Sequence, residues 1–210
     1  AETPYLYTLL LTMNDATGKT TEATAIKIGF RTSEIKNGQY LVNGQPVLLK
    51  GVNLHEFNQI TGQVVNEADV TLDMERMKQL NVNAIRLSHY PQPALFYDLA
   101  DKYGFYVVDE ANIESHGMGY DRAKGKSLGN NLDWTEAHLF RTRNMFERTK
   151  NHASVVIWSL GNEAGNGYNF YQTYLFIRSR DKMRPIQYEQ AGHEWNTDIV
   201  CPMYAKPHHI

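Results

Sequence analysis

The sequence predicts an α/β fold: an incomplete (β/α)₈ TIM barrel of about six strands, preceded by the last strands of an immunoglobulin-like β-sandwich. Three observations predict it. From residue 47 onward, short apolar segments alternate with helical segments, as in a parallel sheet covered on both faces. Polar side chains follow each of these apolar segments, which is typical of the carboxyl-terminal edge of a barrel. Before residue 46 the pattern is instead that of antiparallel hairpins.

The first 46 residues predict strands joined by tight turns. Residues 5–11 form a strand-like run, residues 14–18 a polar turn, and residues 24–30 alternate with the period of a half-buried strand. Asn43 and Gly44 give the strongest short hairpin signal. Because two or three strands cannot build a sandwich alone, three regions are predicted: the end of a β-sandwich domain at 1–32, a hairpin linker at 33–46, and the amino-terminal part of the barrel at 47–210.

Helix-end signals and apolar runs place the elements of the barrel. Asn66 is a predicted N-cap. Pro93 is predicted at the first position of a helix that ends before Gly104. Two further helices are predicted near residues 134–150 and 169–182. The predicted strands are residues 47–52, 84–87, 105–108, 155–158, 185–188 and 199–201.

Composition excludes several classes of partner. The chain has 21 Lys and Arg against 23 Asp and Glu, a formal net charge of −2, and the basic residues are scattered, so no nucleic-acid partner is expected. No apolar run reaches the ~18 residues that a membrane span needs. The single cysteine, Cys201, excludes an internal disulfide and reads as a small core residue. We expect a soluble protein, either cytoplasmic or exported.

Two parallel architectures compete, and the polar residues favour the barrel. A doubly wound sheet usually carries a glycine-rich phosphate turn after its first strand, and none is present here. In a barrel, polar groups gather at the carboxyl ends of several strands. All six predicted strands are followed by such groups, namely Asn53, His55, Glu56, Ser88, His89, Asp109, Glu110, Asn112, Asn162, Glu163, Glu189 and Tyr204.

The sharpest local signal is Glu163, at the mouth of an apolar strand that includes Trp158 and Leu160. A carboxyl beside apolar walls is expected to have a raised pKa, which suits a general acid. Glycoside hydrolysis needs one such acid to protonate the leaving oxygen. Asn162 can donate a hydrogen bond to a neighbouring sugar hydroxyl. The competing interpretation is that Glu163 only caps the following turn.

Residues 109–116 place three carboxylates and a histidine within eight positions. The negative charges of these carboxylates repel one another unless a cation neutralises them. Oxygen ligands with one histidine suit Mg²⁺, or Mn²⁺, better than zinc. A solvated acidic loop is the alternative. His55 and His89 each follow a strand, and together they favour hydrogen bonding to a polyhydroxylated ligand. For Trp158, filling the barrel is favoured over a platform for sugar rings.

These residues stand in segments that resemble glycoside hydrolase family 2, and within it the microbial β-galactosidases. Five segments match in order and spacing, and together they span nearly the whole chain: Lys50–Glu56, Arg86–Pro91, Val107–Gly117, Ile157–Glu163 and Cys201–Tyr204. The resemblance implies a catalytic barrel preceded by β-sandwich domains. It also implies a retaining, double-displacement hydrolase of terminal β-D-galactosides that forms a homo-oligomer.

The resemblance implies a role for each matching side chain. Glu163 is the expected acid/base. Glu114, His116 and Glu163 are the expected ligands of an active-site Mg²⁺. Substrate contacts are expected from His55, His89, Asn162 and Tyr204, with Tyr204 next to the nucleophile. The nucleophilic glutamate is expected beyond residue 210, and Glu189 does not match it.

Three alternatives stay open at this point. One is another specificity of the same family, a β-glucuronidase or β-mannosidase. Another is a non-catalytic carbohydrate-binding or structural module. A third, a metal-dependent hydrolase barrel, lacks the His-x-His pair expected after its first strand. If the nucleophile and two strands lie elsewhere, residues 1–210 alone are expected to be inactive and prone to association.

Overall fold

The computed structural model describes residues 3–209, which form two small antiparallel sheets followed by a parallel sheet covered by helices. The predicted first hairpin is present and pairs along its whole length. A second, three-stranded meander then leads to the parallel sheet. The antiparallel strands are β1 (Tyr7–Asn14), β2 (Thr20–Ile28), β3 (Ser33–Lys36), β4 (Gln39–Val42) and β5 (Gln45–Pro46).

The parallel sheet has five strands in the order in which they occur along the chain, which is the arrangement of a partial barrel. Every neighbouring pair is parallel, and a helix lies between each pair of successive strands. The strands are β6 (Gly51–Leu54), β7 (Ala84–Leu87), β8 (Tyr106–Glu110), β9 (Val155–Ser159) and β10 (Ile186–Gln187). The helices are α1 (Glu67–Gln79), α2 (Ala94–Tyr103), α3 (Thr135–Thr149) and α4 (Tyr168–Arg180).

The sixth predicted strand, 199–201, contributes a single bridge between Ile199 and Gln187. The physical reason is the shortness of its neighbour, since β10 has only two residues and offers little backbone to pair with. The peptide N–H of Tyr188 donates to the side chain of Thr197 instead of to a further strand. Cys201 is accordingly half-buried outside any regular strand, and burial raises the pKa of its thiol to about 11.

The helix ends follow the local signals closely. Asn66 caps α1 in a reciprocal box with Asp69. Gly104 ends α2 in the left-handed conformation, with φ 73°. Pro93 differs from the prediction by one position: its ψ of 152° is extended, so it is the residue before the helix rather than the first residue within it.

The parallel sheet buries two different layers. One lies between the sheet and the helices, and Trp158 is fully buried there against Phe146 of α3. The expectation that Trp158 fills the barrel interior is therefore wrong, because its side chain alternates to the helix-facing side of β9. The interior layer is smaller, built from Val108, Val156 and Ile157 with Tyr40 of the meander packed against them.

The meander closes one end of the sheet. Ser33 donates to the carbonyl of Val156, and Arg31 donates to the carbonyls of Ala153 and Val155, near the start of β9. With the amino-terminal ends of the strands covered, the carboxyl-terminal edge is left for a site. None of the helices within residues 3–209 has the length and apolarity that crossing a bilayer requires.

Candidate active site at the carboxyl ends of the strands

A single buried carboxylate ties three strands together at this edge. Glu110, the last residue of β8, is fully buried. One of its oxygens accepts from Arg86 of β7 and from Ser159 of β9, both at 2.7 Å, and the other faces Nδ1 of His89 at 2.7 Å. Because a carboxylate only accepts hydrogen bonds, Nδ1 of His89 is the donor to Glu110. Nε2 of His89 is therefore not used in this contact.

Arg86 extends this hydrogen-bond network to Asn162, the residue before Glu163. Its Nη2 donates to Oδ1 of Asn162 at 2.9 Å. The peptide N–H of Asn162 donates to the carbonyl of Ile113 at 2.8 Å, so the backbone is held as well. Since the amide oxygen is occupied, the amide N–H₂ of Asn162 is the group free to donate to a ligand.

Glu163 lies in an unusual backbone turn at the mouth of β9. Its φ is 43°, in the left-handed region that residues with side chains seldom adopt. Gly161, two residues earlier, has φ 150°, and a Cβ there would lie 2.5 Å from the carbonyl oxygen of Ile113. The turn therefore needs glycine at 161, and it directs the chain so that Glu163 follows Asn162 at the strand edge.

The surroundings of the Glu163 carboxylate are polar. It accepts a hydrogen bond from Nδ1 of His116 and another from the hydroxyl of Tyr120, the latter at 3.1 Å. The bond from His116 lowers the pKa of Glu163, Tyr120 acts in the same direction, and burial opposes both. The expectation of a raised pKa is therefore wrong for this structure, because polar donors stand where apolar walls were expected.

The three residues expected to bind a metal come together. One potential ligand atom from each of Glu114, His116 and Glu163 lies within 4.8 Å of the others. Glu114 also accepts from the peptide N–H of His116 at 2.8 Å, which folds the loop back on itself. Two carboxylates and one imidazole are a set of hard, mostly oxygen donors, and this chemistry fits Mg²⁺ or Mn²⁺ with water in the remaining positions.

Glu189 stands directly behind Glu163. It follows β10 and is half-buried, and its Oε1 accepts the peptide N–H of Glu163 at 2.5 Å. Its Oε2 is buried, with no hydrogen-bond partner in the described part of the chain. Burial raises the pKa of this carboxyl.

The predicted substrate-binding residues divide into two groups. His55 and His89 lie edge to face with ring centroids 5.2 Å apart, and Asn162 joins them through Arg86 and Glu110. Tyr204 is 86% exposed in a turn, with φ 57°. Among residues 3–209 no contact joins it to Glu163.

Sequence reasoning assigns no role to four members of the site, namely Arg86, Glu110, Tyr120 and Glu189. The sequence places Glu110 and Glu189 as polar residues after strands but indicates no role for either. No sequence signal points to Tyr120, although it lies four residues after His116 and its ring meets the imidazole edge to face. The signal that could have found Arg86 is its place inside an apolar strand, where a buried charge needs a partner.

Fold and site together place the chain among α/β barrels with an acidic site at the carboxyl ends of the strands. The family model for the TIM barrel domain of glycosyl hydrolases family 2 matches residues 33–209. The chain therefore belongs to glycosyl hydrolase family 2.

Curated relatives agree with this family. The chain is 49% identical over 207 residues to a beta-galactosidase of Pseudoalteromonas haloplanktis and 47% identical over 207 residues to one of Enterobacter cloacae. Each match covers 98% of this chain but 20% of the relative, so the chain spans about a fifth of the length of these proteins.

Solved structures of beta-glucuronidases superpose well on this chain. A Ruminococcus gnavus beta-glucuronidase bound to uronic isofagomine matches with a TM-score of 0.83 and 28% identity, over 95% of this chain and 37% of that one. The beta-D-glucuronidase of Dictyoglomus thermophilum matches with a TM-score of 0.74 and 28% identity, over 87% of this chain and 32% of that one.

Proposed function

We propose that this chain is the acid/base-bearing barrel segment of a retaining β-galactosidase, with Glu163 as the acid/base. The observation that carries the proposal is the position of Glu163. It lies at the carboxyl-terminal edge of β9, directly after an Asn162 whose amide is oriented by Arg86 and Glu110. Relatives that are 43–49% identical over 98% of the chain are beta-galactosidases, which supports galactosides as the substrate class.

In this proposal Glu163 first protonates the glycosidic oxygen, so that the aglycone leaves as an alcohol. It later removes a proton from the water that releases the sugar. Retention requires a second carboxylate about 5–5.5 Å from the first, and we propose that a glutamate beyond residue 210 supplies it. Glu189 is not proposed for this role, because one of its oxygens is engaged by the Glu163 peptide and the other is buried.

The sugar contacts follow from the free hydrogen-bonding groups. The amide N–H₂ of Asn162 is available to a sugar hydroxyl, as is Nε2 of His89. His55, against the ring of His89, would contribute from the end of β6. Tyr204 is proposed as a further contact, and its exposure leaves its side chain free to take part.

A divalent cation is part of the proposal. Glu114, His116 and Glu163 would hold Mg²⁺, or Mn²⁺, and the ion would supply positive charge beside the acid/base. His116 and Tyr120 already hold Glu163 from the same side, so its carboxylate is oriented by the protein itself. We also propose, from the family resemblance, that the complete enzyme is a homo-oligomer.

A β-glucuronidase is the second candidate, because the solved structures that superpose well on this chain carry that name. A glucuronidase needs a cation for the carboxylate of its sugar. At this site Arg86 is already committed to Glu110 and Asn162. The identity to the beta-galactosidases is also higher, so a galactoside is favoured. The test is to measure turnover of aryl galactosides and aryl glucuronides by the complete enzyme.

Glu163→Gln tests the acid role. The amide keeps the size of the side chain but cannot donate the proton, so turnover should fall by about 10²–10⁴-fold with poor leaving groups such as simple alkyl alcohols. The loss should be much smaller for dinitrophenyl galactosides, whose leaving groups need no proton. Glu75→Gln, an exposed carboxylate on α1, is the matched control and should retain wild-type turnover. Equal losses for both substrate classes would exclude the acid role.

A further inference from the structure

We propose that Glu189 is a positioning residue: by accepting the peptide N–H of Glu163, it fixes the backbone turn from which the acid/base is presented. This inference rests on the proposed function and adds a residue to it. Glu189 would not touch the sugar. It would act through Glu163, 26 residues earlier in the chain.

The pairing of β9 with β10 brings these two residues together. The N–H groups of Trp158 and Leu160 donate to the carbonyls of Pro185 and Gln187, so the two strand ends stay in register. Immediately after β10, the chain makes a short 3₁₀ turn over Glu189–Ala191. This turn places the Glu189 carboxylate under the Glu163 peptide, at 2.5 Å.

A second side chain after β10, that of Tyr188, also forms hydrogen bonds with the turn that contains Glu163. The hydroxyl of Tyr188 accepts from the N–H of Ala164 at 3.3 Å and donates to the carbonyl of Gly165. Tyr188 is itself fully buried and stacked on Phe170, with ring centroids 3.9 Å apart. Two consecutive side chains after β10 therefore hold three consecutive residues after β9.

Glu163 needs this support because its own backbone is strained. A residue with a side chain is disfavoured at φ 43°, and such a conformation persists where the surroundings over-determine it. The peptide before it is held by the carbonyl of Ile113, and the Glu163 peptide is held by Glu189. Without the Glu189 acceptor the peptide can rotate, and a small displacement of the carboxyl is enough to impair proton transfer.

The electrostatic setting argues against a role in packing alone. Glu189 is a half-buried carboxyl beside a second carboxyl, and burying such a group is unfavourable without compensation. Its first oxygen is compensated by the acid/base peptide, and the second has no partner in the part of the chain that the structure describes. The side chain of Gln190 and the charge of Arg86 also favour the charged form of Glu189. Among the described residues, the Glu163 peptide is the backbone group that its carboxylate binds.

The test compares Glu189→Leu and Glu189→Gln in the complete enzyme, with alkyl and dinitrophenyl galactosides as substrates. Leucine keeps the volume and removes the acceptor, so kcat on the alkyl galactoside should fall by about 10–100-fold, with KM within about threefold and a smaller loss on the dinitrophenyl substrate. Glutamine keeps an acceptor oxygen and should recover kcat to within about fivefold of wild type. Glu194→Leu, in the same loop but bonded to Arg122 and Tyr171, is the control for damage to the loop.

Hydrogen exchange gives a readout that does not depend on turnover. The peptide covering residues 160–166 should be protected in wild type and in Glu189→Gln, and should exchange faster in Glu189→Leu. Glu189→Gln as impaired as Glu189→Leu would overturn the proposal, and so would equal losses of Glu189→Leu on both substrates. Wild type and Glu163→Gln are measured alongside. If Glu163→Gln shows no dependence on the leaving group, the proposed function fails, whereas a failure confined to Glu189 refutes only this inference.

Discussion

Replacing Glu110 should destabilise the barrel and disturb the site at once. Its carboxylate is fully buried and meets Arg86, His89 and Ser159, each at 2.7 Å. In Glu110→Leu the guanidinium of Arg86 loses this partner while only 15% of its side chain is exposed. Removing one partner of a buried ion pair costs about 3–5 kcal/mol, because the remaining charge is uncompensated. We expect a loss of free energy of unfolding in that range.

Glu110→Gln should be milder, at about 1.5–3 kcal/mol, the worth of a hydrogen bond to a charged group. The amide oxygen can still accept from Arg86 and Ser159. The amide N–H₂ can donate to Nδ1 of His89 if the imidazole adopts its other tautomer. The order of stability is therefore wild type, then Glu110→Gln, then Glu110→Leu.

The assay is urea denaturation of the complete enzyme, with kcat measured on the same preparations. Glu110→Leu should also lower kcat, because Arg86 no longer holds the Asn162 amide in place. Combining Glu110→Leu with Arg86→Met should cost less than the sum of the single changes, since both charges are then gone. Glu75→Gln, an exposed control, should change stability by less than about 0.5 kcal/mol. A Glu110→Leu enzyme within about 1 kcal/mol of wild type, or a strictly additive double variant, would refute the reasoning.

Two further predictions concern the metal and acid pH. Chelation should lower activity and added Mg²⁺ should restore it, and Glu114→Gln should raise the Mg²⁺ concentration needed by at least about tenfold; indifference to chelator would remove the metal from the proposal. Burial raises the pKa of Asp181, but the hydrogen bond from Trp158 and the charge of Arg184 outweigh it and hold the pKa at about 2. This pKa lies below the ordinary 3.8, so ionised Asp181 should contribute about 2 kcal/mol to the free energy of unfolding above pH 4. This contribution should be lost as the pH falls toward 2. The difference in urea midpoint between wild type and Asp181→Asn should therefore shrink between pH 7 and pH 3, and an unchanged difference would contradict the assignment.

The order and type of the elements could be predicted because their signals are local. Asn66 caps α1 through its own neighbours, and Gly104 is needed where the chain turns left-handed at the end of α2. The polar residues after each strand predicted the edge at which the site lies. The prediction of a regular sixth strand at 199–201 was less successful, since a strand needs a partner and β10 is too short to provide one.

The sequence by itself determined that Glu163 follows an apolar strand, and that Glu114 and His116 lie in an acidic loop. Only the tertiary structure decided what surrounds them. Glu163 meets His116 across 47 positions of the chain and Glu189 across 26. The hydrogen bond from His116 lowers the pKa of Glu163, and Glu189 accepts its peptide N–H. Such contacts have no local pattern, because parallel strands bring together residues that are separated by whole helices. A carboxyl's pKa depends on the donors within a few ångströms of it, and the fold alone supplies those donors.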